Sequence, residues 1–124
     1  QAQREFEEAR KNYNKALEIY VEFNDRYEQA STYHQLGMVA QAQREFEEAR
    51  KNYNKALELK IEFDDRYSQA STYHQLGRVA EDQREFEEAR KNYNKALEIF
   101  IEFDDRYSQE IVAGSLKRLE DQNK

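Results

Sequence analysis

A repeated unit constrains this chain more than any other feature of its sequence. The string QREFEEARKNYNKALE begins at Gln3, at Gln43 and again at Gln83, so the sequence repeats every 40 residues. Between the first two copies only 8 positions differ. Near-identity at a period of about 20 to 50 residues is typical of chains in which short units stack side by side, because one unit cannot bury its apolar face alone. We therefore expect one repeat domain. It spans residues 1–124 and consists of the units 3–42, 43–82 and 83–122.

Within one unit, the spacing of apolar residues predicts two helices. Apolar residues recur at steps of three and four over about 43–63, which places them on one face of a long helix. Asp64 and Asp65 then predict a turn, with an aspartate side chain capping the next helix. That helix should be shorter, ending near Ala80, and Gly77 on its packed face indicates that a neighbouring helix passes too close for a side chain. The sequence therefore predicts an all-α fold of about six helices, alternately long and short.

The composition excludes several kinds of function. The chain has no cysteine, so disulfides, thiolate nucleophiles and cysteine-bound zinc are ruled out. Its 3 glycines are isolated, so the sequence has no glycine-rich loop to hold a phosphate, and we expect no cofactor. The net charge of −6 disfavours nucleic acid as a partner. No apolar run reaches the roughly 18 residues that a membrane helix needs, so we expect no membrane partner either.

No arrangement of residues predicts catalysis. The two histidines, His34 and His74, lie one unit apart, a separation of about 10 Å if helix pairs pack at ordinary spacing. Side chains at that distance cannot share a metal ion, whose bonds to histidine are about 2 Å long. Neither histidine has a serine or cysteine nucleophile in a triad-like setting. We therefore expect no catalytic residue, no metal site and no enzymatic activity.

The unit resembles a tetratricopeptide repeat. That family has an aromatic residue, Leu and Gly on its first helix, and Ala, an aromatic residue and Ala on its second. The matching residues here are Tyr33, Leu36, Gly37, Ala49, Tyr53 and Ala56, and in the next copy Tyr73, Leu76, Gly77, Ala89, Tyr93 and Ala96. The unit departs from the family's pattern in two ways: Ile61 stands where a proline is usual, and the unit is longer. Units of this length are similar to those of Pins and the kinesin light chain adaptors.

The resemblance implies both a fold and a surface. The implied fold is a right-handed α-solenoid of stacked antiparallel helix pairs. In this family the first helices line a concave groove that receives an extended or helical peptide, so the implied partner is a protein or peptide. By position, the groove candidates are Ser31, His34, Gln35, Met38 and Gln41, and in the next unit Ser71, His74, Gln75, Arg78 and Glu81. Duplication of the unit explains the recurrence of these residues equally well.

The positions that break the repeat point to self-association. Tyr20, Lys60 and Phe100 occupy one equivalent position, and a lysine there indicates a site near the surface. The last helix, 107–122, is not a copy of the others, and it places small and apolar residues toward the groove side and the adjoining edge. Two competing explanations are that the chain is a fragment of a longer repeat array and that this helix is the natural C-terminal cap of a longer protein. The candidates for contact with a second chain are Tyr20, Phe100, Ile111, Val112, Gly114, Ser115 and Arg118.

The sequence leaves two functions open. One is a scaffold that assembles into a homo-oligomer through its terminal helices, with closed rotational symmetry as the usual outcome. The other is an adaptor that binds a peptide in the groove. The near-identity of the copies favours a consensus or designed repeat over a natural duplication, although the consistent helical pattern fits either origin. A natural version would be expected in the cytoplasm.

Overall fold

The computed structural model describes residues 2–122, and the regular structure of these residues is entirely helical. The helices are α1 (Ala2–Glu22), α2 (Arg26–Ala42), α3 (Phe46–Glu62), α4 (Arg66–Asp82), α5 (Phe86–Glu102) and α6 (Arg106–Gln122). Over these residues, the predicted all-α fold of about six helices is confirmed. The chain divides between residues 63 and 64 into two compact units. We call them the N-terminal unit, with α1 to α3, and the C-terminal unit, with α4 to α6.

One kind of turn separates α2 from α3 and α4 from α5. Gln43 ends α2, and Arg44 adopts a left-handed conformation with a φ of 59°. The amide of Glu45 then donates to the carbonyl of Ala40 at 2.8 Å, which satisfies the end of α2 just before α3 begins. The C-terminal unit repeats this turn at Arg84. Arginine is not a residue that signals a left-handed turn, so the sequence pattern placed this turn about two residues too early.

The predicted alternation of long and short helices is wrong. The helices α2 to α6 have 17 residues each, and α1 has 21. The turn at 43–45 makes α3 begin only at Phe46, and the equivalent turn at 83–85 lets α4 continue beyond Ala80 to Asp82. The two helices of a pair therefore match in length along their whole contact.

Aspartate side chains cap the helices that follow the other turns. The carboxylates of Asp25, Asp65 and Asp105 accept hydrogen bonds from the backbone amides of Glu28, Ser68 and Ser108 at 3.1, 3.3 and 3.1 Å. Each bond satisfies one of the amides that a helix leaves unpaired at its start. The prediction of an aspartate cap is thereby confirmed.

Each unit contains one close contact between a glycine and a tyrosine. A Cβ atom added to Gly37 would lie 2.7 Å from the ring of Tyr53, and one added to Gly77 would lie 2.6 Å from the ring of Tyr93. Both distances are far shorter than a normal carbon–carbon contact, so the two helices of each pair approach this closely only because these positions are glycine. Both tyrosine side chains are fully buried. The close approach predicted from Gly77 is confirmed.

The position shared by Tyr20, Lys60 and Phe100 is buried in two of its three copies. Lys60 and Phe100 are each 7% exposed, whereas Tyr20 is half-buried. Phe100 belongs to the hydrophobic core of the C-terminal unit, where its ring lies edge-on to that of Tyr67 at 5.9 Å between centroids. The prediction of a surface position is therefore wrong for Lys60 and Phe100. A lysine tolerates this site because its methylene stem packs like an apolar side chain.

Candidate functional site

An open cleft of about 600 Å³ lies between α4 and α6 in the C-terminal unit. Its walls are mainly polar, with one isoleucine and one glycine on the α6 side. Four residues come from α4 and six from α6: His74, Arg78, Glu81, Asp82, Glu110, Ile111, Gly114, Ser115, Arg118 and Gln122. Predicted groove residues and predicted self-association residues thus line the same cavity.

Two residues that line this cleft, Glu81 and Arg118, belong to a hydrogen-bonded triad with the buried Tyr93. The hydroxyl of Tyr93 on α5 donates to Glu81 Oε1 at 2.6 Å, and Arg118 on α6 donates to both carboxylate oxygens of Glu81 at 2.8 Å. The two-pronged geometry of the guanidinium matches the carboxylate and fixes both side chains. Because Glu81 lies on α4, the triad connects all three helices of the C-terminal unit.

The electrostatics of the triad follow from this geometry. The hydrogen bonds from Arg118 are the largest influence on Glu81, and they hold the pKa of its carboxyl below the usual value although burial opposes them. Burial, followed by the bond to Glu81, raises the pKa of the Tyr93 hydroxyl. Glu81 is therefore charged and Tyr93 neutral at physiological pH. Since Arg118 neutralises Glu81, the pair adds little net charge to the cleft.

His74 marks the middle of the cleft. Its Nε2 atom lies 3.3 Å from the hydroxyl oxygen of Ser115, and its ring is tilted against that of Tyr93 at 5.5 Å. Burial is the main reason that the pKa of His74 is lowered, and the positive charge of Arg78 adds to it. The imidazole is consequently neutral at pH 7 and presents one donor and one acceptor.

Arg78 is a cation of the cleft that no carboxylate of residues 2–122 neutralises by a direct contact. Its side chain is exposed, and among the described residues it makes no hydrogen bond or ion pair. Ile111, which is 44% exposed, and Gly114, whose Cα faces open space, lie along the same cleft. The cleft thus combines one free guanidinium with a small apolar wall.

The family of the chain follows from a comparison with known sequences. The family model described as tetratricopeptide repeat matches residues 1–62 and 28–102. The chain is a tetratricopeptide repeat protein. Repeats of this family are scaffolds for protein–protein interaction and are typically non-catalytic. None of the curated proteins matches the chain.

Solved structures show the same fold. The crystal structure of BtubC (BKLC) from P. vanneervenii, a kinesin light chain-like tetratricopeptide protein, superposes with a TM-score of 0.69 at 20% sequence identity. The match covers 95% of this tetratricopeptide repeat protein and 57% of that chain, so it spans little more than half of the solved structure. At this identity the likeness concerns the fold.

Residues 2–122 of this tetratricopeptide repeat protein contain neither a cluster of metal-binding side chains nor a membrane-spanning helix. Nowhere in that range do three histidine, aspartate or glutamate side chains come together as a possible metal site. Every helix in the same range is too short or too polar to cross a lipid bilayer.

The groove candidates of the N-terminal unit are divided between the surface and internal contacts. Ser31 and Met38 are exposed, whereas His34 and Gln41 contact Tyr53. The Tyr53 hydroxyl donates to Gln41 at 2.6 Å, and the His34 ring packs against the Tyr53 ring at 5.2 Å. Burial, and then the charge of Lys60, lower the pKa of His34 to about 4. These two residues therefore support the helix pair.

Three other groove candidates, Gln35, Ser71 and Gln75, do not line the cleft. Gln35 Oε1 accepts from the hydroxyl of Tyr13 at a long 3.5 Å. Ser71 bonds within its own helix, to the carbonyl of Ser68 at 3.1 Å, and is exposed. Gln75 is half-buried and is not among the residues that line the cleft between α4 and α6. Of the predicted groove residues, His74, Arg78 and Glu81 are the ones that line this cavity.

Three of the self-association candidates are buried within the C-terminal unit. Val112 is 1% exposed, Ser115 is 5% exposed and Phe100 is 7% exposed, so the expectation that they present a surface is wrong. Val112 packs in the core because it occupies the position that Thr72 fills on α4. Contact with a second chain stays a prediction for the exposed residues Ile111, Gly114 and Arg118 and for the half-buried Tyr20.

The sequence pattern missed part of this site. Tyr93 entered the sequence analysis only as a residue that matches the repeat pattern, and its hydroxyl was not connected with Glu81. The carboxylates of Asp82 and Glu110 at the cleft were missed as well. One signal was present: Gln41 of the first unit becomes Glu81 in the second, and an acid at a buried position requires a partner. That partner, Arg118, lies in the divergent last helix.

Proposed function

We propose that this chain is a non-enzymatic interaction scaffold that binds a peptide carrying a carboxylate in the cleft between α4 and α6. The observation that carries the proposal is Arg78, an exposed guanidinium at a concave site that is paired with no carboxylate of residues 2–122. Arg118 cannot take this role because Glu81 already occupies its guanidinium. Arginine is well suited to recognising a carboxylate, since its planar group can donate two parallel hydrogen bonds.

The remaining walls suggest what surrounds that carboxylate. Gly114 and Ile111 offer room and apolar contact for a small side chain, and neutral His74 offers a hydrogen bond to a peptide backbone. Asp82 and Glu110 add negative charge to the cleft. We therefore infer a preference for segments in which an acidic residue stands beside a small apolar residue and a basic one.

A displayed library of peptides with one acidic residue, selected on the immobilised chain, tests this proposal. Fluorescence anisotropy should show that Arg78→Ala weakens the selected peptides about tenfold or more, since a charge-assisted hydrogen bond contributes about 1.5–3 kcal/mol. Lys117→Ala, an exposed cation on α6 that does not line the cleft, should bind as the wild type does. Circular dichroism should report unchanged helicity in both variants. Equal binding by Arg78→Ala and the wild type would refute the proposal.

Self-association through the terminal helices is the second candidate. It is supported by exposed apolar side chains at the end of α1 and along α6: Phe23 is 75% exposed, Tyr107 76% and Ile111 44%. Exposed apolar patches often mark association sites. Light scattering coupled to size exclusion should then report a multiple of 15.0 kDa, reduced to that mass by Phe23→Glu or Ile111→Glu. A mass of one chain at high concentration would contradict it.

The origin of the chain belongs to the same proposal. The 40-residue copies differ at few positions, and those that differ include the cleft residues Arg78 and Glu81. This pattern supports a consensus or designed repeat whose specificity was introduced at selected sites.

A further inference from the structure

Two exposed aromatic rings contact each other in the C-terminal unit, at the start of α4 and the end of α5. The ring of Tyr67 lies edge-on to that of Phe103 at 5.3 Å between centroids. Tyr67 is 46% exposed and Phe103 is 47% exposed. The buried ring of Phe100 lies 5.9 Å from that of Tyr67. We call Tyr67, Phe100 and Phe103 the aromatic cluster, and none of the three lines the cleft between α4 and α6.

The exposure of the two rings does not come from the end of the chain. The equivalent residues of the N-terminal unit, Tyr27 and Phe63, make the same edge-on contact at 5.7 Å. Phe63 stands in the middle of the sequence, with three helices before it and three after it, and is still 44% exposed. An exposed pair of rings is therefore a property of the repeated unit itself.

The surroundings of the aromatic cluster are acidic. Residues 101–107 contain three carboxylates and one arginine. The hydroxyl of Tyr67 donates to Asp105 Oδ2 at 2.5 Å, and this bond is the largest influence that holds the pKa of the Asp105 carboxyl below its usual value. A phenol that donates to a charged carboxylate has a more electron-rich ring, because hydrogen-bonded groups polarise one another. Such a ring attracts a cation to its face.

Elsewhere in the C-terminal unit, exposed cations of the chain already lie over aromatic rings. Arg84 lies over the Phe86 ring at 5.1 Å, and Lys95 over the Tyr73 ring at 5.8 Å. Both distances are short enough for a cation–π attraction. Within residues 2–122, no cation lies over a ring of the aromatic cluster in this way.

The two arginines beside the aromatic cluster are held by carboxylates. Arg66 pairs with Glu102 at 3.3 Å, and Arg106 pairs with Asp104 at 3.5 Å. Neither guanidinium is directed to the exposed rings by a contact with them. The exposed ring faces are therefore available to a cation from another molecule.

The N-terminal unit has only part of this arrangement. Lys60 stands there at the position of Phe100, so a lysine replaces the third ring and brings a positive charge into that unit. A cation is attracted by a ring and repelled by a like charge. The aromatic cluster of the C-terminal unit is thus the better site for a cation, and the Tyr27–Phe63 pair provides a matched control.

We propose that the aromatic cluster binds an arginine side chain of a partner protein, with aliphatic residues on either side of that arginine. The planar guanidinium stacks on the exposed ring faces, and the carboxylates of residues 101–107 attract its charge. The aliphatic neighbours cover the apolar edges of the rings. A second copy of this chain is a poorer partner, because two chains of net charge −6 repel each other.

This surface is separate from the proposed peptide cleft. Tyr67 lies in the first turn of α4 and Arg78 near its end, about 16 Å apart along the helix axis. The two sites also select opposite charges, since Arg78 suits a carboxylate and the aromatic cluster suits a cation.

Nuclear magnetic resonance of the full chain with isotope-labelled aromatic rings tests the proposal with two short peptides. One probe is acetyl-Leu-Arg-Leu-amide, and the other has citrulline in place of arginine, which keeps the shape of the side chain and removes its charge. The ring signals of Tyr67 and Phe103 should shift in a saturable way with the arginine peptide. The citrulline peptide should bind at least about threefold more weakly, because it lacks the cation–π attraction.

Three variants locate the binding. Phe103→Leu keeps an apolar side chain and removes the ring face, so the signals of Tyr67 should no longer distinguish arginine from citrulline. Phe63→Leu makes the same change at the equivalent position of the N-terminal unit and should retain the preference. Arg78→Ala alters the cleft alone and should behave as the wild type does. Circular dichroism should report unchanged helicity in all three variants.

The possible outcomes separate the occupants of this surface. Equal affinity for the two peptides, or an unchanged preference in Phe103→Leu, would overturn the proposal. So would ring signals that change with protein concentration and do not respond to either peptide, because a second copy would then cover the cluster. A preference for arginine that requires Phe103, and requires neither Phe63 nor Arg78, would establish this surface independently of the cleft.

Discussion

Gly77 lies directly against the ring of Tyr93, so closely that a Cβ atom would stand 2.6 Å from it. A Cβ atom added to Gly114, which lies 37 residues later on α6, would meet no neighbouring atom within 4 Å. The helices α4 and α5 require glycine at position 77 in order to pack, whereas Gly114 faces open space in the middle of α6. The same substitution at the two positions should therefore have opposite effects.

We expect Gly77→Ala to lower the free energy of unfolding by about 1–3 kcal/mol, because the buried Tyr93 ring must move. Gly114→Ala should raise it by up to about 1 kcal/mol, since alanine favours a helix and meets nothing there. Urea unfolding followed by circular dichroism measures both. Changes of the same sign would contradict the packing described.

Removing the cation of the Glu81–Arg118 pair should lower the free energy of unfolding more than removing the acid does. Arg118→Leu leaves a carboxylate that is 9% exposed with the neutral side chains of Tyr93 and Gln122 as partners in place of a cation, and we expect the free energy of unfolding to fall by about 2 kcal/mol. Glu81→Gln reproduces the Gln41–Tyr53 bond of the N-terminal unit, and half-exposed Arg118 can be solvated, so the loss should be about 1 kcal/mol. Urea unfolding of the two variants measures both losses. A larger loss for Glu81→Gln than for Arg118→Leu would contradict this account of the pair.

Protonation of His34 should destabilise the chain below neutral pH. Its pKa is about 4 in the folded protein against 6.5 for a free histidine, so the unfolded chain binds the proton more readily. Stability is complete above pH 6.5 and is lost as the pH falls toward 4. Between pH 7 and pH 5, the protonation of His34 should lower the free energy of unfolding by about 2 kcal/mol, which we call the share of His34.

Unfolding of the wild type and His34→Gln at both pH values isolates this share, because all other groups titrate alike in the two proteins. The variant should lose less stability on acidification. An identical loss in both proteins would mean that His34 is protonated as easily in the folded chain as in the unfolded one.

Lys60→Phe should stabilise the N-terminal unit. Phe100 fills the equivalent position of the C-terminal unit and packs edge-on to Tyr67, and Tyr27 is the equivalent of Tyr67. Replacing a buried lysine with phenylalanine should add about 1–2 kcal/mol. The pKa of His34, followed by its NMR shifts, should rise because the charge of Lys60 lowers it. A fall in stability would indicate that the contacts of the ammonium group outweigh the apolar gain.

Much of the architecture could be read from local patterns. The repeat period, the three-and-four spacing of apolar residues and the aspartate caps predicted the helix pairs, because each of these signals acts within a few residues along the chain. Gly77 was recognised as a packing residue for the same reason. The left-handed turn at Arg44 escaped notice, since its hydrogen bonds, and not its residue type, define it.

The sequence by itself determined that this chain consists of repeated helix pairs, that the pairs belong to the tetratricopeptide family and that the last helix differs. Only the tertiary structure decided which copy of a residue is buried. Ile19 and Ile99 stand at the same repeat position, yet one is 52% exposed and the other 1%. The near-identical helices around them cannot explain this difference; the presence or absence of a covering helix does, since burial is a property of neighbours. For the same reason, the pairing of Arg118 with Glu81 is visible only in the tertiary structure, since the two residues lie on different helices.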